Sequence, residues 1–157
     1  MKSIRKQTTP YGCGMYALAN LLDTDILFIE KIESQKNGGY LHDLIDALDE
    51  VDCTIHVLYE DSVGVQRTLP KAVRQLRVEK NLGMLLIGYQ PKKDSIRHMV
   101  GAYIDNKGRL TVLDSMIDKP YVTNLSKFCK DNYCVDQLYA IYSKDPYKLV
   151  TIKNNPY

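Results

Sequence analysis

Residues 7–14 read Gln7-Thr8-Thr9-Pro10-Tyr11-Gly12-Cys13-Gly14, and a run rich in helix formers, Met15 to Leu22, follows at once. A thiol at the start of a helix meets the positive end of the helix dipole, which favours thiolate over thiol. An amide placed shortly before it, here Gln7, can donate to an oxyanion formed when such a thiolate attacks a carbonyl. The segment therefore predicts a cysteine nucleophile at a helix N-terminus. Two further parts are needed: a base for Cys13, and a group to orient the base. Both lie in one later stretch, His98-Met99-Val100-Gly101-Ala102-Tyr103-Ile104 followed by Leu110-Thr111-Val112-Leu113-Asp114.

Working outward, residues 1–10 read as an extended arm, because Pro10 disfavours helix in the residue before it. From Cys13 to Leu22, the apolar residues Met15, Ala17, Leu18, Ala19, Leu21 and Leu22 cover most helix faces, which predicts a largely buried helix. Asp23-Thr24-Asp25 ends it or links it onward, and Gly38-Gly39 punctuates the chain again. In Tyr40–Asp49, Leu41, Leu44, Ile45 and Leu48 recur at helical spacing, an amphipathic helix. Thr54–Tyr59 is β-rich, and Pro70 suits the opening of a short helix with Val73 and Leu76 inward. Met84–Tyr89, His98–Ile104, Leu110–Asp114 and Gln137–Ser143 read as strands. Asp105-Asn106-Lys107-Gly108 is a turn, so the second and third of these form a hairpin. Asn124 or Ser126 caps a short helix carrying Leu125, Phe128 and Cys129. The predicted fold class is α+β, an N-terminal helical half packed on a C-terminal antiparallel sheet. The length of 157 residues suits a single domain spanning 1–157.

Composition narrows the function. Apolar residues make up 45% and charged residues 25%, as expected of a soluble globular chain. A formal charge of +2 gives no strong pull toward nucleic acid. No apolar run approaches the roughly 20 residues that cross a bilayer, and the N-terminus lacks a secretory signal, so a cytoplasmic protein is expected. The four cysteines contain no Cys-x-x-Cys and match no zinc pattern. They are expected as reduced thiols, with Cys53, Cys129 and Cys134 in or near the core. A Cys129–Cys134 bridge is conceivable but has no geometric support in the sequence. His42 reads as solvent-facing and His56 as a structural strand residue. Gln90-Pro91-Lys92-Lys93-Asp94-Ser95 reads as a solvated loop leading to His98, with the rim of a substrate cleft as its alternative.

A histidine is the usual base for such a thiol because it titrates near neutrality. A carboxylate on its far ring nitrogen then fixes the tautomer. In the predicted hairpin, His98 opens one strand and Asp114 closes the other, equidistant from a turn centred near residue 106. The two should lie side by side, whereas a slip of one residue would send them to opposite faces.

The pattern as a whole resembles the papain-like cysteine peptidases, and within them the double-glycine leader peptidases, which process bacteriocin precursors. It comprises Gln7, five residues, Cys13-Gly14, then His98-Met99-Val100, then Leu113-Asp114 at 16 residues from the histidine. Domain length and element order also agree. Against the family pattern, Gly12 replaces an acidic residue, Met99 an aromatic one and Ser115 a proline. The resemblance implies Cys13 as nucleophile, His98 as general base and acid, Asp114 as orienting group and Gln7 as oxyanion donor beside the N–H of Cys13. It implies peptide-bond hydrolysis through a thioester acyl-enzyme, with cleavage after small residues such as Gly-Gly, on a peptide or protein substrate. No metal or organic cofactor is implied, since covalent thiol catalysis needs none. Two other readings stand beside it. One is a catalytically silent papain-like binding or structural protein, for example an accessory protein of a phage particle. The other is a transferase or amidase that shares the thioester step. Oligomeric state is left open.

Overall fold

The computed structural model describes residues 2–8, 12–22, 41–60, 76 and 78–157; of His42 it describes the backbone alone. The expectations for Pro10, Asp23–Asp25, Gly38-Gly39, Pro70, Val73 and the His42 side chain lie outside the described residues.

Helix α1 spans Cys13–Leu22 and α2 spans Leu41–Asp49. Strand β1, Cys53–Glu60, precedes β2, Leu82–Gln90, and β3, His98–Ile104. Then follow β4, Arg109–Leu113, β5, Tyr121–Asn124, and helix α3, Leu125–Asp131. Strands β6, Cys134–Lys144, β7, Tyr147–Leu149, and β8, Thr151–Ile152, complete the fold. The strands form one eight-stranded antiparallel sheet in the order β1-β6-β2-β3-β4-β5, with β7 on β6 and β8 on β2.

This is the α+β fold expected, with one correction. The chain does not divide cleanly into helical and sheet halves, because β1 from the first half pairs along β6 and forms one side of the sheet. Strands β5, β7 and β8 were not anticipated. Asn124 is the cap of α3, its side chain accepting from Lys127 N at 2.9 Å. The Asp105–Gly108 turn forms as predicted, with Gly108 in the left-handed region at φ 79°.

Because strand side chains alternate, the sheet builds two cores. Leu85, Ile87, Val100, Ala102, Leu110 and Val112 face one of them, covered by Leu125 and Phe128 of α3. Met84, Leu86, Tyr103 and Leu113 face the other, beneath Leu18 and Leu21 of α1 and Leu44 and Leu48 of α2. Strand β2 is buried along both faces, which explains its unbroken apolar run.

Helix α1 lies close against β3 at Gly101. A Cβ there would stand 2.7 Å from Leu21 Cγ and 3.0 Å from the carbonyl oxygen of Ala17. Tyr103 Oη, two residues on, donates to Leu21 O at 2.9 Å and satisfies a carbonyl at the helix end. The N-terminal arm is stitched to the same helix. Arg5 N donates to Asn20 Oδ1 at 2.9 Å, Asn20 Nδ2 to Arg5 O at 3.3 Å, and Arg5 Nη1 to Ala19 O at 2.7 Å. Tyr157 Oη donates to Asn20 O at 2.6 Å and Lys2 N to Pro156 O at 2.9 Å.

Gly101→Ala should therefore cost about 1–3 kcal/mol, the range for overpacking a filled core. The drop in denaturant midpoint at unchanged m-value measures it. A midpoint equal to that of the parent would show that the helix has room to retreat.

Candidate active site

Cys13 is the first residue of α1 and His98 the first of β3, while Asp114 stands just past the end of β4. The structure brings the three together. His98 Nε2 lies 2.7 Å from Asp114 Oδ1, with both side chains largely out of solvent at 14% and 13% exposure. The Cys13 thiol is hydrogen-bonded to the same histidine. Cys13 also accepts from the backbone N–H groups of Met99 and Gly14.

The hairpin does this by a register different from the one expected. Ile104 pairs with Leu110 and Gly101 with Leu113, so the turn is centred on 107 rather than 106. The displacement moves each partner by two residues, which keeps His98 and Asp114 on the same face as a diagonal pair. A shift of one would have separated them.

Electrostatics in the site are a contest between burial and pairing. Burial pushes the Cys13 thiol up, but the hydrogen bond and charge of His98 and the N–H groups of Met99 and Gly14 outweigh it, and its pKa falls below the ordinary thiol value. Burial opposes the imidazolium, yet the hydrogen bonds and charges of Asp114 and Cys13 hold His98 up at about 9. Burial raises Asp114 less than His98 and the N–H of Met116 lower it, so its carboxyl sits below the usual range. All three shifts run toward the charged form of each group.

Gln7 joins the group through Ser115. Its backbone N donates to Ser115 O at 3.0 Å, and its side-chain Oε1 accepts from Ser115 Oγ at 2.6 Å. Asp114 is also a turn residue, as its place before Ser115 suggested. Its Oδ1 accepts from Met116 N at 2.9 Å, and its carbonyl from Ile117 N at 3.1 Å.

Sequence reasoning missed three participants. Tyr89 pairs with His98 across β2 and β3 and sets its ring edge-on to the imidazole, centroids 5.8 Å apart. Behind it, Phe128 packs at 4.9 Å. The Met99 N–H and Ser115 complete the set. Arg97, just before His98, pairs with both carboxylate oxygens of Asp136 and ties the start of β3 to β6.

The remaining predicted residues stay apart from this site. His56 hydrogen-bonds Tyr147 Oη and stacks on Tyr142 at 4.4 Å, a structural role. Cys53 is buried, and Cys129 and Cys134 are half-buried. All four cysteines are free thiols, so the Cys129–Cys134 bridge is not formed. Gln90 Nε2 donates to Lys93 O at 2.7 Å and Ser95 O at 3.0 Å, closing the loop before His98 on itself. Among the described residues, no three His, Cys, Asp or Glu side chains are grouped to hold a metal ion, and no helix is long and apolar enough to cross a membrane.

No protein-family model and no curated protein matches the chain. Among solved structures it is similar to the peptidase domain of Streptococcus ComA, a bi-functional ABC transporter involved in a quorum-sensing pathway. The TM-score is 0.56 at 14% identity, over 90% of this chain and 97% of that one. The likeness carries the fold alone: this chain shares the α+β fold of that peptidase domain, as the sequence resemblance implied.

The Asp114 charge sets the site's pH behaviour. Folding raises His98 and lowers Asp114, so their mutual stabilisation is complete between the ordinary values of 3.8 and 6.5. It fades as pH rises through about 9, and again as pH falls through the depressed Asp114 value. Asp114→Asn should therefore lower the His98 pKa toward 6.5, read by NMR titration of the imidazole. It should destabilise the fold most between pH 3.8 and 6.5 and least above about 9. A destabilisation independent of pH would contradict this.

Proposed function

We propose that the chain is a cysteine peptidase. The observation that carries the reading is the relay in which His98 touches the Cys13 thiol on one side and Asp114, at 2.7 Å, on the other. Cys13 is the nucleophile, held as thiolate by His98, the helix start and the Met99 and Gly14 N–H groups. Its sulfur attacks the substrate carbonyl carbon, and the π electrons move onto oxygen. The oxyanion takes hydrogen bonds from the Gln7 amide and the N–H of Cys13, which as a first-turn donor has no intrahelical partner. Collapse breaks the C–N bond, and the imidazolium of His98 gives its proton to the departing amine, leaving a thioester on Cys13. His98 then takes a proton from water as it attacks the thioester, and collapse returns the Cys13 thiolate beside an imidazolium. Asp114 keeps the ring oriented and its charge supported throughout.

The substrate is a peptide in extended form. The resemblance to leader peptidases makes a bond following Gly-Gly the first to offer. The same thioester could pass to an amine instead of water, and product analysis separates the two outcomes.

Two measurements test the reading. Iodoacetamide should label Cys13 selectively well below pH 8, and His98→Ala should slow that labelling. Purified protein given peptides with an internal Gly-Gly, and then a mixed peptide pool, should release fragments seen by mass spectrometry. Cys13→Ala should reduce that release at least about a thousandfold. Labelling no faster than a free thiol, together with intact peptides, would leave the silent scaffold as the better account.

A further inference from the structure

We propose that Ser115 is a positioning residue for Gln7, so that the dipeptide Asp114-Ser115 sets both halves of the site from one turn. This rests on the cysteine peptidase reading above. Ser115 is one of the few buried polar residues described, at 2% exposure, alongside Asn20 and Asp136. A buried hydroxyl without a partner would cost about 1–3 kcal/mol, so where its hydrogen bond goes is informative. It goes to Gln7 Oε1 at 2.6 Å, while the Ser115 carbonyl accepts from Gln7 N at 3.0 Å. Backbone and side chain of Gln7 are thus gripped by the same residue, 108 positions away in the chain.

The chemistry gives that grip a purpose. A primary amide carries its acceptor and its two donors on opposite arms, and its terminal torsion is soft. An oxyanion needs the donor arm; the acceptor arm would repel it. With Oε1 held by the Ser115 hydroxyl, the amide is locked with its N–H groups on the arm turned away from Ser115. Without that hydroxyl the Oε1 arm loses the bond that marks it as the acceptor end. One residue earlier, Asp114 does the equivalent for His98 through Oδ1.

The test separates Ser115 from the peptidase reading by using two reagents. p-Nitrophenyl acetate acylates a thiolate through an oxyanion, whereas iodoacetamide alkylates it without one. In Ser115→Ala the limiting acylation rate should fall roughly tenfold, a share of the 10²–10³ that one oxyanion donor is worth. Half-saturation and the pH profile of Cys13 alkylation should not move. Ser115→Thr, which keeps the hydroxyl, should restore most of the rate. In a Gln7→Ala background, Ser115→Ala should add no further loss. Acylation of Ser115→Ala at the parent rate overturns the proposal and leaves the peptidase reading intact. An equal loss with and without Gln7 also overturns it, because Ser115 would then act through the general fold. Should Ser115→Ala lose its low-pH alkylation through misfolding, Ser115→Gly, which also removes the hydroxyl, carries the same comparison. A parent protein neither acylated nor alkylated at low pH overturns the peptidase reading and this proposal with it.

Discussion

The close approach of α1 to β3 is the constraint on which the site depends. Cys13 begins the helix and His98 begins the strand, 85 positions apart, and nothing local in the chain relates them. Gly101 supplies the relation. Its missing Cβ lets Ala17 and Leu21 settle onto the strand, three residues along from His98. Tyr103 then fastens the far end of the helix. Close packing transmits position because a filled core has little slack. The helix cannot slide without driving Leu21 into β3, so the thiol at its first turn is held at a fixed height beside the imidazole.

The N-terminal arm obeys the same logic. An extended segment without secondary structure would ordinarily wander, yet the arm is tied to Asn20 through Arg5 and to Ser115 through Gln7. Asn20 is fully buried in α1, where an amide would normally be a liability. It is satisfied by bonding the arm's backbone in both directions. Ile4 adds a buried apolar anchor just before them. Gln7 is therefore held against Ser115 on a braced segment.

Much of this was legible before any coordinates. Cys13–Leu22, the Leu44 and Leu48 stripe, the continuous run of β2 and the His98–Asp114 hairpin announce themselves through period and turn chemistry, because each is dictated by which faces are buried. The elements that escaped lack that signal. β5 is mostly exposed, β7 has three residues and β8 two, too short to alternate visibly. The hairpin centre was misplaced because Asp105 N donates to Arg109 O, so the loop takes in two more residues on its C-terminal side. Ser115 and Tyr89 were illegible for a different reason. Their partners, Gln7 and His98, are brought to them by tertiary pairing that no local pattern encodes.

Stability alone does not account for the site. A buried ion pair seldom repays the loss of its hydration, and apolar side chains of similar volume often serve the fold as well or better. Here three ionisable groups are drawn together, each pushed by burial toward its neutral form and drawn back toward its charged form by its neighbours, with His98 between the other two. Around them, the Met99, Gly14 and Met116 N–H groups and the Ser115 hydroxyl are spent on Cys13, Asp114 and Gln7. A scaffold that only binds or builds would gain by replacing this cluster with leucine. Groups that conflict with local stability yet are fully supported by their surroundings are what physical chemistry expects of a reactive centre. That balance argues for chemistry at Cys13 independently of the fold, which silent relatives of any peptidase would share.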